Sequence, residues 1–186
     1  MKKTVLVFGV ASGLVASTLM LLTMPFMHRL GYDVGAVVGY TGIVAAFLVV
    51  FFGVRSYREQ QADGRLTFGR GFAVGILIVL ISCAFYVGTW EIIYFKLAPN
   101  FMSDWTAHAV EQARASGASQ AKIDETVRQM AEFKRIYDNP LTNAAVTFLE
   151  PFPIGLLVAL ISAGVLRRRP QAEVRPGGPV ASAAVR

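Results

Sequence analysis

Four long apolar stretches take up most of this 186-residue chain, and they constrain its fold more than any other feature. They run from about Thr4 to Met27, Val34 to Val54, Gly71 to Phe95 and Leu141 to Leu166. Each is long enough to cross a hydrocarbon layer of roughly 30 Å at about 1.5 Å per helical residue. Lipid cannot satisfy an open backbone N–H or C=O, so each stretch must be a helix. A water-soluble bundle would show a polar stripe on every helix, and these stretches lack one. Charged residues are 16% of the chain and hydrophobic residues 54%, whereas soluble domains carry about 25% charge. The expected class is all-α: a four-helix transmembrane bundle over residues 1–169.

Lys2 and Lys3 precede the first stretch as they would in a secretory signal. The apolar run that follows is far longer than a signal core, so an uncleaved span is expected. The distribution of basic residues sets the direction. The terminal and 55–70 segments hold eleven basic and three acidic residues, and the opposite side holds seven of each. Both termini are therefore expected in the cytoplasm, in the inner membrane of a bacterium. The net charge of +6 is then a topology signal rather than a nucleic-acid footprint.

The long connection at 96–140 lies on the balanced side and reads as an extracytoplasmic helical hairpin between spans three and four. Its first helix is expected at 102–116, capped by Ser103 or Asp104 and ended by Gly117. Its second starts at Ser119 or Gln120 and runs to Tyr137. There Ile123, Val127, Met130, Phe133 and Tyr137 trace one apolar stripe, suited to covering the bundle or to holding a partner. Asn139 and Pro140 separate it from span four. In the basic loop, residues 62–65 read as a turn. Residues 170–186, rich in Pro, Gly and Ala, read as a disordered cytoplasmic tail.

Two acids interrupt the apolar stretches. Glu91 sits near the end of span three, beside Tyr86, Trp90 and Tyr94. Glu150 sits deeper in span four, just before Pro151 and Pro153. A charged carboxylate in lipid costs roughly 2.5 to 3.5 kcal/mol, so it should face the bundle, pair with a donor or hold a proton. The two prolines remove backbone donors and open the helical ladder, which would expose carbonyls beside Glu150. Both acids approach the same end of the bundle and could share a pocket. Glu91, Glu150, Tyr86, Trp90, Tyr94, Pro151 and Pro153 thus form the candidate intramembrane polar site. Small residues at Gly9/Gly13, Gly35/Gly39, Gly71/Gly75 and Ala159/Ala163 allow close helix approach.

No cofactor or metal is expected. Cys83 is the only cysteine, and His28 and His108 are far apart. No Ser/His/Asp set or metalloprotease motif is present, so catalysis ranks last. A non-enzymatic accessory protein ranks first. Its partners would be the bilayer, a membrane protein or a second copy of itself, and not nucleic acid. A transport-like protein responsive to protons or cations through Glu150 and Glu91 ranks second.

Two segments carry a resemblance. Residues Gly64-Arg65-Leu66-Thr67-Phe68 resemble a G-x-[IL]-[ST]-F pattern, and Tyr94 to Phe101 resemble Y-x(4)-P-[DN]-F, with Asn100 at the position where aspartate is common. With the order of spans and the long connection after span three, they are similar to a bacterial family of four-span inner-membrane proteins, domain of unknown function 4199. The proline-rich start of span four departs from that pattern. The resemblance implies an architecture and transfers no functional residues.

Overall fold

The computed structural model describes residues 1–30, 32–61 and 64–167, the side chains of 26–33 excepted. The His28 side chain, the 62–63 part of the expected turn and the tail from 168 onward lie outside what is described. Among the described residues, seven α-helices and one π-helical turn make up the regular structure: α1 (Lys2–Leu30), α2 (Tyr32–Glu59), α3 (Phe68–Ile92) continued by the π-turn Ile93–Leu97, α4 (Phe101–Ala115), α5 (Gln120–Tyr137), α6 (Pro140–Leu149) and α7 (Pro151–Leu166). Among the described residues, four segments are long and apolar enough to span a bilayer: Lys2–Thr23, Val34–Glu59, Phe68–Leu97 and Pro140–Leu166. Leu6, Leu14, Val44, Leu48, Leu157 and Ile161 are exposed along them, as a lipid-facing belt requires.

Close contacts fix the directions. Gly9 and Gly13 of α1 meet Ile81 and Phe85 of α3, so these two helices run parallel. Gly42 and Gly53 of α2 meet Leu19 and Phe8 of α1, so α2 runs back. Gly71 and Gly75 of α3 meet Ala163 and Ala159 of α7, so α7 runs back as well. Three of the four small-residue pairs therefore join helices within the chain, where missing side chains let backbones approach. Hydroxyls add to the α1–α3 seam. Ser12 and Ser82 are 3.0 Å apart, Ser12 also donates to Ala46 O at 2.9 Å, and Thr89 donates to Ser17 at 2.7 Å.

The start of α1, the end of α7 and the described parts of the α2–α3 loop meet at one end of the bundle. Thr4 donates to Gln60 there at 3.1 Å, and Val5, Val54, Tyr57, Leu66, Val74 and Leu166 form one buried cluster. This end is filled. The opposite end is covered by the α4–α5 hairpin. Gly117 turns the chain there with φ 75°, and Ala118 N–H returns to Ala113 O at 3.0 Å, a helix ending that favours glycine.

Three details differ from the sequence reading. The α4 helix is capped at Asn100 instead of Ser103 or Asp104. The chain reverses through Pro99, Phe101 N–H reaches Ala98 O at 3.0 Å, and Met102 is drawn into a buried aromatic cluster. Span three ends in a π-turn, closed by Ala98 N–H on Ile93 O at 2.7 Å. Of the Gly35/Gly39 pair, Gly39 does not seat a neighbouring helix: a Cβ there would meet nothing within 4 Å.

Candidate functional site

Span four is two helices. Asn139 starts α6, its Oδ1 accepting from the N–H groups of Leu141 at 3.0 Å and Thr142 at 3.4 Å, with Pro140 in the first turn where its missing donor costs nothing. Pro151 then cannot donate to Thr147 O, nor Pro153 to Leu149 O. Glu150 N–H makes only a stretched 3.4 Å bond to Thr147 O. The helix breaks there, and the Glu150 side chain emerges at the break. Tyr86 of α3 donates to its Oε2 at 3.0 Å.

A chain of hydrogen bonds lies on the hairpin side of this pair. Trp90 Nε1 donates to Tyr137 Oη at 2.8 Å. Thr147 donates its one proton to Asn143 Oδ1 at 3.2 Å, so Tyr137 Oη must be the donor in its 3.2 Å contact with Thr147. Asn143, fully buried, returns to Tyr137 O at 3.2 Å. Next to it, Tyr94 donates to Asp138 Oδ1 at 2.6 Å, and Lys134 pairs with the other carboxylate oxygen. These groups tie the end of α5 to α3 and α6. Lys134 and Tyr94, in that order, hold the Asp138 carboxyl below the usual aspartate range.

Between the helices lies a cavity of about 470 Å³. Its walls are the α1 stretch from Ala16 to Met24, the α2 stretch from Gly35 to Ile43, Tyr86 and Trp90 of α3, and Val146 of α6. Its roof is the hairpin: Phe101, Met102 and Trp105 from α4, and Met130, Phe133 and Tyr137 from α5. The hollow follows from the residues. Ala16, Gly35, Ala36, Gly39 and Gly42 offer almost no side-chain volume. Glu150 is the single charged side chain among the described lining residues. Both tryptophans and four of the six methionines of the chain line this space.

The candidate residues separate. Glu150 and Tyr86 pair in the cavity, Trp90 holds its roof, and buried Pro151 makes the break. Tyr94 serves the Asp138 latch, and Pro153 is exposed. Glu91 is not among the lining residues, and its Oε1 is buried with no hydrogen-bond partner among the described residues. Asn143 and Asp138 escaped the sequence reading. For Asn143 a signal existed: polar residues four apart, Asn143 and Thr147, in an apolar helix. The described residues hold no group of three His, Cys, Asp or Glu side chains fit for a metal ion.

The family model described as "Protein of unknown function (DUF4199)" matches residues 7–168. No curated protein and no solved structure matches the chain. The match covers all four spans and the hairpin, and the chain belongs to the DUF4199 family of multi-span membrane proteins.

Proposed function

We propose that this is a non-catalytic binding protein of the inner membrane, whose cavity takes up a small amphiphile and whose Glu150 makes uptake responsive to protons or cations. The observation that carries this is a carboxylate, oriented by Tyr86, opening into a cavity of ligand size that has no other charged side chain among its described lining residues. In that setting the carboxylate is costly alone and favourable with a proton or a cationic group. The balance of basic residues puts both chain ends in the cytoplasm and the hairpin outside. The rival accessory role would place a membrane partner on the α5 stripe. Most of that stripe is engaged within the chain: Ile123 and Tyr137 are buried, and Met130 and Phe133 line the cavity, while Val127 is exposed and Phe133 partly so.

The test uses the protein in lipid nanodiscs and alkyl amphiphiles brominated at the tail, with quenching of Trp90 and Trp105 as readout. Gly39→Leu supplies the control, since Gly39 lines the cavity with open space at its Cβ position. Saturable quenching that Gly39→Leu abolishes is the expected result. Quenching that rises linearly with membrane load in both proteins overturns the reading.

A further inference from the structure

We infer that the cavity selects amphiphiles with a protonated amine head, taken from the bilayer, with the ammonium on Glu150 and the chain among the aromatic and methionine side chains. This rests on the binding role proposed above and adds the chemical class.

Four observations converge on the head group. Glu150 Oε2 already accepts from Tyr86, while no described residue donates to Oε1. That oxygen is open to a further donor, and a cationic donor satisfies both the lone pairs and the charge. No lysine or arginine is among the described lining residues. Seven of the lining residues are aromatic, Tyr40 and Tyr86 included, and ring faces attract ammonium groups in a desolvated site. Finally, the walls do not suit a bare metal ion. Ca²⁺ would need about six to eight oxygen ligands, and one carboxylate with a few hydroxyls falls short.

The route follows from the roof. Phe101, Trp105, Met130 and Phe133 close the cavity toward the hairpin end. On the side, Tyr40 of α2 and Val146 and Glu150 of α6 and its break all line the cavity and are all exposed, at a level where the exterior is lipid. An amphiphile resting in one leaflet is therefore the occupant that this opening admits.

Three probes of one chain length decide the matter: tail-brominated dodecylamine, dodecanol and dodecanoate, each added to nanodiscs and read by tryptophan quenching. Wild-type protein should bind the amine about tenfold more tightly than the alcohol, the scale of one charge-assisted hydrogen bond, and the carboxylate least. Glu150→Gln should erase the amine preference and leave alcohol binding nearly unchanged. Tyr86→Phe removes a competing donor and should keep or increase it. Equal binding of all three heads, still blocked by Gly39→Leu, overturns the amine assignment and leaves the binding role standing. Gly39-independent quenching by every probe overturns both. The head-group comparison needs no variant at Glu150, so misfolding of Glu150→Gln leaves the assignment testable.

Discussion

A methyl group added at Gly155 would come within 2.5 Å of Val79 Cγ1 and 2.9 Å of Phe47 Cζ. Val79 is fully buried and Phe47 nearly so, and neither has room to yield. Gly155→Ala should therefore destabilise the bundle by about 1–2 kcal/mol, overpacking outweighing the better helix propensity of alanine. Gly39→Ala meets nothing within 4 Å and should be neutral or gain about 0.5 kcal/mol. Thermal unfolding of the two variants in one detergent compares them directly; equal midpoints would contradict the packing described. Asn143 makes a second case. Asn143→Leu would orphan both Tyr137 O and the Thr147 proton in a buried site, which should cost about 1–3 kcal/mol. Each effect belongs to one side chain and its few neighbours.

At the level of elements, the hairpin and the break in span four govern the cavity together. Lys134 and Tyr94 stabilise the charged form of Asp138. A lowered folded pKa makes this stabilisation complete above the ordinary value of 3.8 and lost as pH falls through the lowered one. Protection of the α5 amides, taken relative to their intrinsic exchange rates at each pH, should thus fall in acid and remain constant across the neutral range. Asp138→Asn should show low protection at neutral pH and little further loss of it in acid. The break answers to Pro151. Pro151→Ala restores a donor for Thr147 O, so its new amide should be protected from exchange, and the preference for amine heads should fall as the Glu150 carboxylate turns from the cavity. An unprotected amide at 151 would mean that tertiary packing, not proline, bends the span. Much of this was legible in the chain. Ser119, Gly117 and Asn139 mark helix ends through local chemistry, and two prolines beside Glu150 announce a break. The Tyr94–Asp138 latch was not, because its partners are 44 residues apart and neither has a local reason to seek the other.

For the molecule as a whole, four spans, their order and the hairpin follow from hydropathy alone, since lipid leaves the backbone so few options. The cavity does not. It depends on which small residues face one another: Gly71 and Gly75 meet α7, whereas Gly39 of an equally plausible pair faces a hollow. The sequence pattern is the same in both, and only tertiary placement separates them. Sidedness is open to direct measurement. Cys83 is buried, so the native background for an impermeant thiol reagent should be silent. Gln60→Cys should then react only from the cytoplasmic side and Glu111→Cys only from outside. Reaction of both from one side would refute the charge-based orientation. One last property follows from Met20, Met24, Met102 and Met130 sharing the cavity wall. Each thioether can gain an oxygen and become a strong dipole. Peroxide or hypochlorite would thereby convert an oily chamber into a wetter one without cutting the chain or altering its charge, and reductive repair would reverse it.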